Sequence, residues 1–267
     1  MAIAPAHATP IAPPKGLSPS GVKLYNQCPL RFYWAKIAKA PDPPGRAQVL
    51  GTFVHAVLAA LIARPHGERT LALARTLAGA HWPSFTASSD FAAAACEIHS
   101  IPQFKQDAWA KIERYFAIEN PSAVEAAAIE QPFKANLGGQ AGGPIYGVLD
   151  RLDHTPAGPI VVDYKTGKAP PPRFAGRDLD QLRIYAALVT EVTGIRPTRI
   201  NLYYLGSGNI VGEPVSTRTL AQAHHLASTT WTGIRSDAAA GCFEARPHRL
   251  CDWCPYKPTC PAWPRST

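Results

Sequence analysis

The spacing of apolar residues predicts helices through the first half of the chain. Ser18 precedes Pro19 and an amphipathic run, a pattern that is typical of a helix N-cap followed by proline at the first helical position. A second helical segment restarts at Pro29. Further helices are predicted where apolar residues recur three and four positions apart, at 48–64, 68–80 and 103–119.

Hydrophobic runs in the middle of the chain predict strands instead. Three strands follow one another, at 123–136, 145–154 and 160–167. The segments "LGGQAGGP" and "TPAGP" between them are typical of hairpin turns. The later elements are predicted in the order helix, strand, strand, helix, at 178–193, 199–206, 210–215 and 217–235. This order favours an α/β fold with a central mixed sheet flanked by helices.

The composition is that of a globular protein, and its charge favours an anionic partner. Hydrophobic residues make up 46% of the chain and charged residues 17%, with a formal net charge of +8. Nucleic acid is the commonest polyanion that such a charge attracts. The N-terminus lacks the pattern of a signal peptide, and the longest apolar run, 49–63, is shorter than the ~20 residues of a membrane span. We therefore expect an intracellular, cytoplasmic protein without membrane association.

Charged side chains end the third predicted strand, although its first residues, "IVV", belong in a core. Alternate residues of a strand share a face, so Asp163 and Lys165 should project together while Tyr164 points away. A short hairpin would bring Asp150 alongside them from the preceding strand. Two such carboxylates suit Mg²⁺ or Mn²⁺, and a neighbouring lysine can stabilise charge that develops on a phosphate. The alternative is an ordinary solvated or cross-strand ion pair.

Two pairs of residues lie four positions apart on predicted helices. Gly51 and His55 share one helix face, where the glycine would allow close backbone approach and the histidine could bind a metal. Gln181 and Tyr185 have the same spacing on the helix after the lysine strand. A core histidine and a packing pair are the alternative interpretations.

Cysteines cluster near the C-terminus in the pattern Cys251-x₂-Cys254-x₅-Cys260. Three clustered thiolates need a fourth ligand, and Cys28 near the N-terminus is the best candidate. Proline follows Cys28, Cys254 and Cys260, as it follows a cluster ligand in ferredoxins, but a structural Cys₄ zinc site suits the same spacing. The two remaining cysteines are interpreted as small core residues: Cys96 and Cys242.

Five short motifs in a fixed order resemble the RecB-like branch of the PD-(D/E)XK nucleases. They are "GTFVH", "EQPF", "GVLDRLD", "VVDYKTG" and "QLRIY". They correspond to GxxxH, an acidic residue before the sheet, GxxDR, DxKTG and QxxxY, and the likeness extends over residues 17–262. The resemblance implies a restriction-endonuclease-like core and an N-terminal helical part that a metal cluster joins to the C-terminus.

The resemblance also implies roles for particular residues. Lys165 would be the catalytic lysine, acting with Asp150 and Asp163. Gln181 and Tyr185 would support the site or contact DNA, and Glu130 matches the acidic position before the sheet. Four groups would bind Mg²⁺ or Mn²⁺: His55, Asp150, Asp163 and the backbone carbonyl of Tyr164.

An early cysteine followed by a late C-x₂-C-x₅-C pattern is similar to AddB-type nucleases and to the CRISPR-associated iron–sulfur exonucleases. This likeness implies a structural [4Fe–4S] cluster, bound by Cys28, Cys251, Cys254 and Cys260, rather than zinc. The chain is then expected to divide into four segments: a flexible lead-in at 1–16, a helical part at 17–120, a nuclease core at 121–236 and a cluster-binding tail at 237–267.

The function implied by the resemblance is that of a metal-dependent DNA exonuclease, acting on single-stranded ends in recombination, repair or phage-type DNA processing. A separate helicase or a CRISPR integrase would be its partner. One alternative is a spacer-processing nuclease of CRISPR adaptation. Another is a non-catalytic DNA-binding subunit of a helicase–nuclease complex, against which the presence of Asp150, Asp163 and Lys165 argues.

Overall fold

The structure of the protein is a computed structural model that describes residues 9–263, except for the side chains of 172–175 and 177. Two parts of the predicted terminal segments, 1–8 of the lead-in and 264–267 of the tail, lie outside the described residues. Among the described residues, no helix has both the length and the apolar character needed to cross a membrane.

Helices occupy the first half of the chain, as predicted, with bounds that shift by a few residues. They are α1 (Pro19–Gln27), α2 (Pro29–Phe32), α3 (Arg46–Ile62), α4 (Leu71–Thr86), α5 (Ser89–Ala93) and α6 (Ile101–Ile118). The Ser18 hydroxyl caps α1 by accepting a hydrogen bond from the Gly21 amide at 3.0 Å. The helix α4 extends past its predicted end because Trp82 and Phe85 pack on Phe53.

Strands and the two longest helices follow, also as predicted. They are β1 (Ala126–Leu137), β2 (Gly143–Asp153), β3 (Ile160–Lys165), α7 (Pro172–Thr193), β4 (Arg199–Tyr204), β5 (Asn209–Pro214) and α8 (Thr217–Ala239). The helix α7 begins six residues before its predicted start at 178, because Pro172 has a backbone suited to the first turn.

The strands form one mixed sheet in the order β1-β2-β3-β4-β5. The pair β3–β4 is parallel, whereas β2–β3 and β4–β5 are antiparallel. The helix α7 connects β3 to β4 and packs on both of them. The α/β fold class and the mixed sheet flanked by helices are therefore confirmed.

Contacts within the chain define two compact units. Unit I contains the residues up to Asp42, Lys134–Gly147 and the residues from Thr217 onward. Unit II contains Pro43–Phe133 and Val148–Ser216. Each unit is therefore assembled from separate stretches of sequence, and the four consecutive segments expected from the sequence stay a prediction.

The core of unit II lies between α3, α4, α6 and one face of the sheet. Val162 and Tyr164 of β3 contribute to it from that face. Its fully buried helical residues include Val54, Val57, Leu58, Leu61, Phe104, Ala108, Ile112 and Tyr115. Since side chains alternate along a strand, Asp163 projects from the other face of β3.

The core of unit I is built around α1 and α8. The Tyr25 hydroxyl donates a hydrogen bond to the Asp237 carboxylate at 2.8 Å, and the Asn26 amide donates to the Thr230 hydroxyl at 2.6 Å. Asp237 lies beyond residue 235, where the last helix was predicted to end, and this contact with α1 gives the additional turn a tertiary partner.

Cys96 and Cys242 were predicted to be small core residues, and this prediction is wrong. Cys96 is exposed in a short 3₁₀ turn, Ala95–Glu97, and Cys242 is only partly buried. Ala94, just before the turn, is the residue buried in the core here, and Cys96 two positions later is exposed.

Glycine is required at the turn that follows β1. Gly138 has φ of 89°, and an added Cβ would lie 2.7 Å from the backbone nitrogen of Ser228 in α8. The next residue, Gly139, has φ of 60°, but its Cβ would meet no atom within 4 Å. The two positions share an unfavourable backbone conformation and differ in the available space.

Replacing Gly138 with alanine should therefore destabilise the protein more than replacing Gly139. Both substitutions carry a left-handed backbone cost of about 1 kcal/mol, and Gly138→Ala adds an overpacking cost of about 1–3 kcal/mol. Chemical denaturation of the two variants measures the difference. Equal losses of unfolding free energy would show that the approach of α8 does not constrain this turn.

Candidate active site

The hairpin of β2 and β3 brings together the acids that the sequence placed on neighbouring strands. Its antiparallel register pairs Arg151 with Val162 and Leu152 with Val161. Asp150 is the residue of β2 directly before Arg151. Its Oδ2 accepts a hydrogen bond from the Tyr164 amide of β3 at 2.8 Å. The carboxylate of Asp150 is thus fixed to the backbone of β3, between Asp163 and Lys165.

Asp163 and Lys165 project together, as their alternation along β3 predicts. Lys165 Nζ lies 2.7 Å from Asp163 Oδ2, and Gln181 of α7 donates a hydrogen bond to Asp163 Oδ1 at 3.2 Å. Burial raises the pKa of Asp163 to about 6, against the opposing effect of the Lys165 ammonium group. The pair therefore places a buried carboxylate beside a lysine that is about one-third exposed.

Tyr185 lies one helical turn beyond Gln181 on α7. The Tyr185 ring is buried. Burial raises the pKa of Tyr185, and the negative charge of Asp163 raises it further. Of the two α7 residues, Gln181 therefore positions the Asp163 carboxylate directly, whereas Tyr185 lies within reach of its charge.

His55 of α3 also contacts Asp150. Its Nδ1 lies 3.3 Å from Asp150 Oδ2. Burial alone would lower the pKa of His55, but the hydrogen bond and charge of Asp150, with the charges of Asp163 and Glu130, raise it overall. The histidine is thus held in a strongly negative environment.

Glu130 of β1 completes a compact group of metal-binding atoms. One ligand atom each from His55, Glu130 and Asp150 lies within 4.8 Å of the other two. Burial raises the pKa of Glu130, and the charge of Asp150 adds to the effect. Its backbone φ of 46° is uncommon for a residue other than glycine, and such strain is often found at functional sites.

These three residues could hold a metal ion, whereas Asp163 lies outside the group. Imidazole nitrogen and carboxylate oxygens are suitable ligands for Mg²⁺ or Mn²⁺. The Asp163 oxygens contact Lys165 and Gln181 instead. The structure therefore brings His55 and Asp150 together as expected and adds Glu130, which the sequence had matched only by its position before the sheet.

An open cleft of about 680 Å³ gives access to this group from solvent. It is lined by Ala47, Gln48, Gly51, Thr52, His55, Ala56, Glu130, Tyr164, Lys165 and Thr166. A Cβ on Gly51 would meet only the Thr166 hydroxyl at 3.5 Å, an ordinary contact. Packing within the protein does not demand glycine there, so the space that Gly51 leaves open belongs to the cleft.

A buried arginine supports the site from the core side, and the sequence motifs assigned it no role. Arg151 donates hydrogen bonds to Tyr164 Oη at 2.7 Å, to Glu119 Oε2 at 3.1 Å and to Asp153 Oδ2 at 2.9 Å. Its side chain is 1% exposed. Burial alone would lower the pKa of Arg151, but Tyr164 and these acids raise it. Its signal in the sequence was a single cation inside the apolar strand "GVLDRLD".

A second cluster of candidate ligands lies in unit I. Cys28, Cys251, Cys254 and Cys260 line one cavity, which Trp34 and Trp263 also border. Two backbone amides point at sulfur atoms: Arg246 N is 3.5 Å from Cys28 Sγ, and His248 N is 3.2 Å from Cys251 Sγ. Burial raises the pKa of the Cys260 thiol, as do the other three thiols to a smaller extent.

Comparison with known proteins identifies the class to which this fold and site belong. The sequence profile of the PD-(D/E)XK nuclease superfamily matches residues 16–261. The chain therefore belongs to this superfamily. No protein of curated function matches the chain.

Solved structures resemble the fold at low sequence identity. A candidate exonuclease from Eubacterium rectale is 16% identical, with a TM-score of 0.59 over 90% of this chain and 87% of that one. The protein SSO0001 is 14% identical, with a TM-score of 0.46 over 97% of this chain and 92% of that one. The first likeness supports the fold, and the second is too weak to support a conclusion.

The raised pKa of Asp163 predicts that Asp163→Asn stabilises the metal-free protein at neutral pH. Because this pKa lies above the ~3.9 of an exposed aspartate, the carboxyl favours folding below about pH 4 and loses that contribution as the pH rises through about 6. Asparagine stays neutral, so we expect a gain on the order of 1–2 kcal/mol at pH 8, reduced by the lost contact with Lys165. Thermal unfolding in EDTA from pH 4 to 8 measures it.

The control for this experiment is Glu113→Gln, which removes an exposed acid of α6 in the same unit. It should leave the pH dependence of unfolding unchanged. A wild-type protein that is as stable as Asp163→Asn across the whole pH range would contradict the raised pKa.

Proposed function

We propose that the protein is a Mg²⁺- or Mn²⁺-dependent DNA exonuclease that hydrolyses phosphodiester bonds at single-stranded ends. The observation that carries the proposal is the group of His55, Glu130 and Asp150 beside the Asp163–Lys165 pair, at an open cleft that His55, Glu130 and Lys165 line. Membership of the PD-(D/E)XK nuclease superfamily supports a nuclease, and the likeness to a candidate exonuclease supports action on ends.

The donor set fits a divalent cation. His55 offers a nitrogen ligand, whereas Asp150 and Glu130 offer the oxygen ligands that Mg²⁺ and Mn²⁺ prefer. Asp163 and the Tyr164 carbonyl stay proposed ligands by family resemblance. When bound, the ion would polarise a phosphoryl oxygen and lower the pKa of a water molecule.

Lys165 is proposed to act directly on the scissile phosphate. Its ammonium group borders the cleft, and Asp163 holds it at 2.7 Å, so it is oriented before substrate arrives. A positioned cation stabilises the charge that develops on the phosphate in the transition state. Gln181 contributes indirectly, because its hydrogen bond fixes the Asp163 carboxylate.

DNA is the proposed substrate because the superfamily consists of nucleases and the chain has a formal net charge of +8. The pathway, in recombination, repair or phage-type DNA processing, and a separate helicase or CRISPR integrase as partner, are proposed on the family resemblance alone.

Removal of the lysine tests the proposal. Lys165→Ala should lower cleavage of linear single-stranded DNA by about 100-fold or more, because it removes transition-state charge stabilisation. Lys168→Ala, which removes an exposed lysine three residues away, is the matched control and should retain activity. The assay measures degradation of end-labelled linear DNA and of covalently closed circular DNA with Mg²⁺ or Mn²⁺.

The two substrates separate the possible activities. Degradation of the linear strand alone, lost in Lys165→Ala, would support an exonuclease, whereas cutting of the circle would indicate an endonuclease with the same chemistry. A wild-type protein that binds DNA in either ion but cuts neither substrate would overturn the proposal and favour a non-catalytic binding subunit.

We further propose that Cys28, Cys251, Cys254 and Cys260 bind a [4Fe–4S] cluster with a structural role. The four cysteines share one cavity, and the amides at 3.5 and 3.2 Å from two sulfur atoms resemble the hydrogen bonds that tune cluster ligands. A single zinc ion would hold four sulfur atoms about 3.8 Å apart. In the part of the chain that the structure describes, no three cysteine sulfur atoms form so compact a group.

The substitution Cys254→Ala should remove the cluster and destabilise unit I. Loss of one ligand opens the link between Cys28 in the N-terminal part and the C-terminal cysteines, so we expect a lower melting temperature and loss of bound iron. Iron and sulfide analysis of anaerobically purified protein, together with thermal unfolding, measures both effects. The control is Cys242→Ala, which changes a half-buried cysteine outside the cavity.

Stoichiometric zinc without iron would refute the [4Fe–4S] cluster, but it would support a shared metal site of the four cysteines. Unchanged melting and metal content in Cys254→Ala would contradict any structural role for these cysteines.

A further inference from the structure

A second cavity of unit II, of about 400 Å³, lies between α4 and α6 and takes no part in the proposed chemistry. Its residues on α4 are three and four positions apart, and so share one face of the helix. The α6 residues face them across the cavity, and Phe53 of α3 borders it as well. The α4 and α6 residues are Arg75, Ala78, Gly79, Trp82, Lys105, Gln106, Trp109 and Ile112.

The cavity combines two tryptophan rings with two positive charges. The Arg75 guanidinium carbon lies 4.5 Å from the centroid of the Trp109 ring, and Lys105 Nζ lies 4.4 Å from the centroid of the Trp82 ring. Neither cation forms an ion pair with a carboxylate in the described part of the chain, and none of the lining residues is acidic. Both charges are therefore available to an anionic ligand beside an aromatic surface.

Gly79 keeps the rim of the cavity open. It lies in the interior of α4, where glycine costs about 1 kcal/mol relative to alanine. A Cβ there would meet no atom within 4 Å, so packing within the protein does not explain the glycine. Its absent side chain leaves room at the rim instead.

We propose that this cavity binds a base of a single-stranded DNA strand by stacking on its tryptophan rings, as Arg75 and Lys105 leave the ring faces to contact the adjacent phosphates. Aromatic rings combined with positive charge are the usual means of binding single strands without sequence preference. The inference rests on the proposed function for DNA as the ligand. It adds a binding site outside the catalytic cleft.

The position of Phe53 relates the cavity to the cleft. Residues Gly51, Thr52 and His55 of α3 line the catalytic cleft, whereas Phe53 lines the tryptophan cavity. A helix is about 10–12 Å across, so a strand that ends in the cleft needs only a few nucleotides to reach the cavity. The site would hold the strand while its end is cut.

The sharpest test fills the rim without removing any contact. Gly79→Leu should weaken the binding of a single-stranded oligonucleotide by about tenfold or more, the loss expected when one stacked base is excluded. Gly79→Ala is the matched control: it brings a similar gain in helix propensity, with little added volume, and should bind like wild type. Melting temperatures of both variants should equal or exceed that of wild type.

The probe is an oligothymidylate with 2-aminopurine at single positions, titrated in EDTA so that no cleavage occurs. Fluorescence anisotropy gives the affinity, and quenching of the 2-aminopurine reports stacking. An oligonucleotide with an abasic site at the quenched position should bind wild type about as weakly as the intact strand binds Gly79→Leu. Equal affinities of Gly79→Leu and Gly79→Ala would overturn the proposal.

A second pair of variants tests the charges independently. Arg75→Gln combined with Lys105→Gln should weaken binding and reduce its salt dependence, because two phosphate contacts are lost. The control, Arg114→Gln combined with Arg196→Gln, removes the same charge from exposed residues outside the cavity. Equal weakening by both pairs would indicate a diffuse charge effect and refute a specific site.

These measurements do not depend on catalysis. A wild-type protein that binds and stacks the base but cuts no DNA would refute the exonuclease proposal and leave the cavity assignment intact. A protein that cuts DNA but shows no effect of Gly79→Leu or of the charge pair would refute the cavity assignment and leave the exonuclease proposal intact.

Discussion

The hydrogen bond from the Tyr164 amide to the Asp150 carboxylate is the contact on which the site depends. It fixes an acid of β2 to the backbone of β3, between Asp163 and Lys165. Asp163 and Lys165 then lie beside Asp150, whose carboxylate also meets His55 of α3. Because side chains alternate along a strand, a slip of one residue in this register would turn these groups to opposite faces.

Arg151 makes such a slip costly. Its buried guanidinium is bonded to Tyr164, Glu119 and Asp153, and Tyr203 of β4 donates a further hydrogen bond to Glu119 at 3.0 Å. A buried charge that loses its partners costs several kcal/mol, so this network strongly favours one pairing of β2 with β3. Tyr164 thereby serves both faces of its strand: its ring anchors the core side, and its amide holds Asp150.

The two candidate metal centres depend on different parts of the chain. The acids and His55 belong to unit II, whereas the four cysteines belong to unit I, which joins Cys28 to residues more than two hundred positions away. The distant pairing explains why a bound cluster would contribute to folding, since it closes a long loop that is otherwise held by side-chain contacts such as Tyr25 with Asp237.

Local pattern in the sequence was sufficient for most helices and strands and for the common face of Asp163 and Lys165, because period and spacing are carried by neighbouring residues. The order of those elements predicted the mixed sheet. Cys28 was only a candidate fourth ligand in the sequence, and the tertiary structure places it in one cavity with the late cysteines. The tertiary structure decided what distant segments contribute. Glu130 joins His55 and Asp150 from β1. Arg151 finds its acceptors just after α6 and on two strands, and Trp82 and Trp109 meet across a cavity. Such contacts depend on how helices pack and on the direction in which a strained backbone holds a side chain. Neither can be predicted from a short stretch of sequence.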